Sequence, residues 1–325
     1  MKHKILLVTL CLFLTLPLLF GCNADKDNSG NLTQSDKPYI AVIAKGFQHK
    51  YWQTVRQGAE AAAKDYGVTI TYEGTDTEAQ IDKQVEMLDT AISKNPVAIC
   101  LAALDSKAVG SSLERAKSKG IPIVGFDSGV DSNTVVATAA TDNVAAASLA
   151  ADKLAEAIGK SGKIGMVVHD QVSTTGKERR DGFKNRIESA YPDIKIVDIQ
   201  YGEGDHTRSA DAAKAMLSAH PDLKAIYGAN EGSAIGVVLA VEELGKEGKI
   251  TVVGFDSGKK QVDAIRAGHM LGAVTQNPYQ IGYKAVEAAY RASKNEPVEK
   301  KIDTGFEWYD KQNVDSEEIK KLLYD

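Results

Sequence analysis

The chain has 325 residues, with 39 lysine and arginine residues against 44 aspartate and glutamate residues, and a formal net charge of −5 at pH 7. Nucleic-acid binding relies on clustered cations that release phosphate counterions, so this acidic balance argues against a nucleic-acid partner. The length suits one or two domains, and only three cysteines are present.

The N-terminus carries the pattern of an export signal. A short basic segment, Met1-Lys2-His3-Lys4, precedes an apolar run over 5–20 that ends at Gly21-Cys22. This run is short for a membrane span and typical of a signal peptide. The segment Leu19-Phe20-Gly21-Cys22 resembles the bacterial lipobox, and that resemblance implies a signal peptide over 1–21 and a lipid on Cys22. An ordinary secretory signal followed by an incidental cysteine is the alternative.

The next segment, 22–37, is polar and shows no apolar period, so we expect a flexible, lipid-anchored tether. Cys11 would leave with the signal peptide and Cys22 would be acylated, which leaves Cys100 alone and no intrachain disulfide. No later apolar segment is long enough to cross a bilayer. We therefore expect an extracytoplasmic protein held by lipid at the outer face of the cell membrane.

From residue 38 onward, short β-branched runs alternate with amphipathic helical stretches. The first half predicts strands over 39–44, 68–72, 97–102 and 121–126, and helices over 52–66, 77–95 and 107–119. The second half predicts helices over 145–159, 178–191, 207–220 and 234–244, and strands over 163–168, 195–199, 225–228 and 250–255. Strict alternation indicates right-handed βαβ crossovers and parallel sheets, hence an α/β fold.

A near-verbatim repeat predicts two similar lobes, each with a doubly wound parallel sheet. Residues 123–129 read Ile-Val-Gly-Phe-Asp-Ser-Gly, and residues 252–258 read Val-Val-Gly-Phe-Asp-Ser-Gly. Coil-like passages over 139–143 and 275–278, with a third crossing near 303, would form a three-segment hinge. We expect an N-terminal lobe of 38–141 with 277–303, and a C-terminal lobe of 142–276 with 304–325.

The repeat also predicts a site. Ligands of open parallel α/β sheets bind at the carboxyl ends of the strands, which would put Asp127 and Asp256 on opposite walls of one cleft. Carboxylates accept hydrogen bonds from neighbouring hydroxyl groups, and such charge-assisted bonds are strong. The alternative is that each Asp-Ser-Gly is only a turn with a helix cap.

Aromatic and amide side chains complete a site suited to a polyol. Tyr51 and Trp52 can place a ring against the C–H face of a sugar, or they can be apolar contacts at a helix start. The amides of Asn230 and Gln276 offer both hydrogen-bond donors and acceptors to a hydroxyl group. The alternatives are that Asn230 only caps the following helix and that Gln276 only forms hydrogen bonds within the hinge. His49 ranks lowest, as a surface histidine. The six histidines show no ligand spacing, so we expect no metal and no cofactor.

In these residues the chain resembles the type I periplasmic binding proteins of the ribose-, galactose- and allose-binding cluster, which serve sugar ABC importers. The resemblance spans 38–325 and includes Thr141-Asp142-Asn143 at the first crossover, and Gly182-Phe183 preceded by Lys177 and Arg179. It implies a monomer that binds a sugar or polyol by hinge closure, docks on an ABC permease and performs no catalysis. The implied ligand-binding residues are Tyr51, Trp52, Asp127, Ser128, Lys177, Asn230, Asp256, Gln276 and His49.

The resemblance leaves the ligand open. Ribose binders carry arginine where Ser128 and Lys177 stand here, and arginine and lysine do not interchange at bidentate sites. This difference argues against ribose and leaves another pentose, a hexose, a polyol or a furanosyl signal as the alternatives. A sugar-sensing co-receptor for a membrane histidine kinase or chemoreceptor is the alternative function. A sugar-responsive repressor is disfavoured by the predicted signal peptide, the acidic balance and the lack of an N-terminal helix-turn-helix pattern. A glycosidase would use two carboxylates across a sugar, but a binding protein needs paired carboxylates too, and the two-lobe repeat favours binding.

Overall fold

Two six-stranded sheets form the frame of the molecule. The computed structural model describes residues 37–324, so the predicted signal peptide, Cys22 and almost all of the tether lie outside the described residues. No helix within 37–324 is long and apolar enough to span a membrane.

The first sheet is entirely parallel and has the order β11-β5-β4-β3-β1-β2. Its strands are β1 Tyr39–Ile43, β2 Thr69–Glu73, β3 Ala98–Leu101, β4 Ile123–Phe126, β5 Val135–Ala140 and β11 Lys301–Asp303. The helices between them in the chain are α1 Lys50–Asp65, α2 Ile81–Ser93 and α3 Gly110–Ser118. Helix α9, Pro278–Ser293, returns from the second half of the chain and packs against α1.

The second sheet repeats this order as β12-β10-β9-β8-β6-β7, with only β12 antiparallel. Its strands are β6 Gly162–Val168, β7 Ile194–Tyr201, β8 Leu223–Gly228, β9 Thr251–Phe255, β10 Gly272–Gln276 and β12 Phe306–Asp310. The accompanying helices are α4 Asn143–Ala157, α5 Thr174–Ala190, α6 His206–Ala219, α7 Glu231–Glu243, α8 Lys259–Ala267 and α10 Glu317–Lys320. Matching strand orders confirm two similar α/β lobes.

Each sheet has a hydrophobic core on both of its faces, as expected of parallel sheets covered by helices. In the first lobe, Val42 and Val124 point to the α1–α9 side, whereas Ile43 and Ile123 point to the α2–α3 side. The central strands are consequently buried along almost their whole length, which fixes the ends of those strands relative to one another.

Three chain crossings connect the lobes, after β5, after β10 and after β11. They are bonded to one another, because the Thr141 hydroxyl donates to Gln276 Oε1 at 2.9 Å and lies 3.5 Å from the Gly305 carbonyl oxygen. The strands β5 and β10 run directly into the first two crossings. The sequence predicts only coil over 139–143 and 275–278, but pairing with β11 and with β12 keeps the chain extended through Ala140 and Gln276, respectively.

Candidate functional site

A cavity lies between the lobes at the carboxyl ends of the strands. Its lining atoms surround about 300 Å³ of space, part of which is continuous with solvent. Its lining is Lys45, His49, Tyr51, Trp52, Glu78, Asp127, His169, Thr175, Arg179, Asn230, Glu231, Asp256 and Gln276.

The two aspartates of the repeat face this cavity from opposite lobes. Each follows a buried strand, and both have the left-handed backbone that is uncommon outside glycine, with φ of 53° at Asp127 and 80° at Asp256. The N–H of Asp127 donates to the Ala139 carbonyl of β5 at 2.9 Å, and the N–H of Asp256 donates to the Val274 carbonyl of β10 at 2.7 Å. Strained backbone held in place by neighbouring strands is typical of functional positions.

Among residues 37–324, the Asp127 carboxylate has one hydrogen-bond donor. The Tyr51 hydroxyl, from the start of α1, donates to Asp127 Oδ1 at 2.6 Å. Burial raises the pKa of Asp127, and the attraction of Lys45 and Arg179 offsets this only in part, so the pKa lies above its usual value. The carboxylate therefore retains room for further donors.

The Asp256 carboxylate is held more firmly. Gln276 Nε2 donates to its Oδ1 at 2.6 Å, and the Glu231 backbone N–H donates to its Oδ2 at 2.8 Å. Arg179 Nη1 lies 3.7 Å from the same Oδ2. Since Gln276 also accepts a bond from Thr141, the second aspartate is connected directly to the crossings.

Arg179 is buried and lines the cavity from the second lobe. Its Nε donates to Asn143 Oδ1 at 2.8 Å, its Nη1 donates to the Ala229 carbonyl at 3.1 Å, and its guanidinium lies 3.7 Å from the centre of the Phe255 ring. Burial would lower the pKa of Arg179, but Asp256 and Asp127 outweigh burial and raise it. The Arg179 side chain therefore stays positively charged.

On the first-lobe side, Trp52 and Glu78 form a bonded pair. Trp52 Nε1 donates to Glu78 Oε1 at 2.8 Å, and the indole packs edge-on against Tyr51 and Phe126. Burial alone would raise the pKa of Glu78, but Lys45, His49 and the Trp52 hydrogen bond more than compensate and lower it. Glu78 thus adds a fixed negative charge to the cavity wall.

Seven of the nine residues that the sequence selects line this cavity, and Ser128 and Lys177 do not. The Ser128 hydroxyl lies 3.4 Å from the hydroxyls of Thr174 and Thr175 in the other lobe. Lys177 Nζ donates to Ser106 Oγ across the lobes at 2.8 Å. Both residues therefore hold the lobes together. Asn230 combines the two alternatives that the sequence offered for it. It lines the cavity, and its Oδ1 caps α7 by accepting from the Ser233 N–H at 2.8 Å.

Six lining residues were not selected from the sequence: Lys45, Glu78, His169, Thr175, Arg179 and Glu231. Lys45 and His169 come just after β1 and β6, so a polar residue that follows a buried strand is a signal that could have found them. Burial lowers the pKa of His169 to about 3 and leaves the imidazole neutral. Burial, Asp256 and Glu78 raise the pKa of Glu231 to about 8.

Direct hydrogen bonds between the lobes close the rim of the cavity. Thr174 Oγ1 donates to the Gly129 carbonyl at 2.8 Å, and Lys45 Nζ lies 3.3 Å from Thr175 Oγ1. Gln48 Nε2 donates to the Gly204 carbonyl at 3.1 Å from the opposite side. The structure is consequently a closed arrangement of the two lobes.

Residues 40–297 match the family described as periplasmic binding protein domain. The D-allose-binding periplasmic protein of Escherichia coli (strain K12) is 30% identical over 266 residues, which are 79% of this chain and 85% of that protein. Two solved structures each superpose with a TM-score of 0.85. They are an ABC transporter solute-binding protein from Agrobacterium vitis with bound D-fucose (34% identity, 88% of this chain and 100% of that chain) and a carbohydrate transporter solute-binding protein from Agrobacterium radiobacter in complex with D-arabinose (32%, 89% and 99%).

Proposed function

This chain belongs to the periplasmic binding protein family, and from that membership we propose that it binds a monosaccharide or related polyol and delivers it to an ABC importer. Members of the family bind solutes for transport and are not enzymes. The observation that carries the proposal for this chain is the convergence of Asp127 and Asp256, from equivalent positions of two lobes, on one closed cavity.

The chemistry of the cavity favours a neutral polyol over an anion. Sugar hydroxyls both donate and accept hydrogen bonds, and the cavity offers acceptors on carboxylates and donors on Lys45, Arg179 and two amides. We assign ligand contact to Tyr51, Trp52, Asp127, Asn230, Asp256, Gln276 and His49, with Ser128 and Lys177 at the lobe interface. The relatives bind D-allose, D-fucose and D-arabinose, so a pentose or a hexose fits the proposal.

The proposed mechanism is closure about the three crossings. A sugar that touches both aspartates contacts both lobes only when they are closed, and it therefore shifts the population toward that state. The bond series from Thr141 through Gln276 to Asp256 supports this, because it joins the crossings to the ligand wall. We place the lobe boundaries at 38–141 with 277–303, and at 142–276 with 304–325.

We further propose that the protein acts as a monomer, anchored by lipid on Cys22 at the outer face of the cell membrane. The lipobox-like segment before Cys22 and the polar segment after it support this placement. Export of a Cys22→Ser variant should leave a chain that is not acylated, which the intact mass of the exported protein would reveal.

Calorimetric titration of the purified chain with D-allose, D-fucose, D-arabinose and D-ribose tests the proposed function. We expect at least one sugar to bind with one-to-one stoichiometry. Asp127→Ala and Asp256→Ala should each weaken the binding of that sugar by about 100-fold or more, because each removes a charged hydrogen-bond partner.

Asp131→Ala is the matched control, since Asp131 is exposed and lies four residues beyond Asp127. Its sugar affinity should equal that of the unaltered chain. The proposal is wrong if no sugar or polyol binds, or if Asp127→Ala and Asp256→Ala bind sugar as tightly as Asp131→Ala does.

A further inference from the structure

Three potential metal ligands from distant parts of the sequence meet at one edge of the cavity. His49 precedes α1 in the first lobe, whereas His206 and Glu231 begin α6 and α7 in the second. One ligand atom from each lies within 4.8 Å of the others, and His49 Nδ1 is 3.7 Å from Glu231 Oε1.

Each of the three residues has one buried polar atom without a hydrogen-bond partner in the described part of the chain, although His206 as a whole is only half-buried. His49 is 4% exposed and Glu231 is 7% exposed. His49 Nδ1, His206 Nε2 and Glu231 Oε2 are shielded from solvent, and none has a hydrogen-bond partner among residues 37–324. A buried polar atom left unpaired is unfavourable, so three such atoms in one place require a common explanation.

We propose that His49, His206 and Glu231 bind a divalent transition-metal ion, Zn²⁺ by the nature of the donors, as a bridge between the two lobes. Two imidazoles and a carboxylate form a donor set that zinc prefers when a fourth position stays open. Tetrahedral zinc with bonds of about 2.0–2.2 Å spaces its ligand atoms roughly 3.3–3.6 Å apart. The His49–Glu231 pair nearly has this spacing, and the His206 ligand atom lies within 4.8 Å of the ligand atoms of both.

The surroundings favour a cation at this position. His49 Nε2 lies 3.1 Å from the Gly204 carbonyl, which can only accept, and 3.0 Å from Gln48 Nε2. Metal binding at Nδ1 selects the tautomer in which Nε2 donates to Gly204, and the Gln48 amide then donates to the Gly204 carbonyl alone. A second nitrogen bonded to a backbone carbonyl is the usual support of a metal-bound histidine. The carboxylates of Glu78 and Asp256 also line the adjoining cavity and add negative potential.

The placement of the ligands gives the ion a defined effect on the protein. One ligand belongs to the first lobe and two belong to the second, so the complete set exists only when the lobes are closed. Metal binding therefore stabilises the closed arrangement, and the ion would lie at the edge of the sugar cavity because His49 and Glu231 also line that cavity. This effect goes beyond the proposed sugar binding.

Zinc titration of the purified full-length chain, without a histidine tag or sugar, tests the inference. We expect one equivalent of Zn²⁺ to bind and to raise the melting temperature, with reversal by EDTA. His206→Ala and His206→Gln should each weaken the binding of Zn²⁺ by at least about tenfold, because a zinc ligand is lost. His220→Ala is the matched control, because His220 lies at the other end of the same helix, and its Zn²⁺ affinity should stay unchanged.

His206 does not line the sugar cavity, so His206→Ala in EDTA should bind sugar like the unaltered chain. This comparison separates the metal site from the sugar site. The inference is overturned if Zn²⁺ fails to raise the melting temperature of the unaltered chain, or if His220→Ala loses as much Zn²⁺ affinity as His206→Ala.

Discussion

The two copies of the repeat share a backbone and differ in what surrounds it. Both aspartates have positive φ, and each donates its N–H to the strand that leads into a crossing. Within the described part of the chain, however, the Asp127 carboxylate receives one hydrogen bond, from Tyr51, whereas the Asp256 carboxylate receives two and also has Arg179 nearby. The same short sequence therefore gives two different carboxylates: that of Asp256 already has most of its hydrogen-bond donors, whereas that of Asp127 can still accept more.

The serines that follow the aspartates differ in the same way. Ser128 faces threonine hydroxyls of the opposite lobe, whereas Ser257 stays within its own lobe, bonded to Thr275 and to the hydroxyl of Tyr324. The duplication thus fixes where the strand ends lie, and the neighbours decide what each end does. We infer that the second aspartate is a rigid wall and that the first is the one completed by ligand hydroxyls.

Removing the support of the second aspartate should have the largest effect. Arg179→Met leaves Asp256 buried without its cation, and loss of one partner of a buried pair destabilises a protein by about 3 kcal/mol or more. Urea unfolding at pH 7 would measure the loss of stability. Arg186→Met on the same helix is the control, because Arg186 pairs with Asp152 at the surface and its loss should change stability little. Equal stability of the two variants would show that Asp256 does not depend on Arg179.

Removing the hydrogen bond from Tyr51 to the first aspartate should have a smaller effect. Tyr51→Phe deletes the 2.6 Å bond to Asp127, and a hydrogen bond to a charged group contributes about 2 kcal/mol. Tyr283→Phe is the matched control, because Tyr283 also donates to an aspartate, Asp65, but at an exposed position. Thermal unfolding of both variants without sugar checks the difference. If Tyr283→Phe lowers the melting temperature as much as Tyr51→Phe does, burial does not strengthen the hydrogen bond from Tyr51 to Asp127.

The repeat in the sequence was sufficient to predict the two lobes and the position of both aspartates, since a strand end depends mainly on local pattern. The position of side chains on helices was harder to predict. Lys177 was assigned to the site, but the cavity is reached by Arg179, which lies four residues before Phe183 and eight before Ile187, on the buried face of α5. Helical spacing places Lys177 on another face, so the phase of α5 is a signal that could have pointed to Arg179.

Contacts that exist only after folding could not be predicted from spacing. His49, His206 and Glu231 are far apart in the sequence, and the absence of a ligand motif led to the prediction that no metal binds. They approach one another because the ends of β1, β7 and β8 converge at the same edge of two facing sheets. Glu78 belongs to the same class, since it lies in a loop and is fixed by the Trp52 indole.

The smallest expected effect concerns the charge of the first aspartate. The folded chain raises the pKa of Asp127, so stability declines as the pH rises through that raised value, and the penalty is absent below the unfolded pKa. Asp127→Asn removes the ionisation and keeps an oxygen that can accept from Tyr51. Without sugar, the variant should therefore gain stability relative to the unaltered chain between acidic and neutral pH, and the two should converge at the acidic end. Melting temperatures measured across that pH range check the sign. A variant that loses stability toward neutral pH would mean that Lys45 and Arg179 already satisfy the carboxylate, which would remove the distinction between the two aspartates.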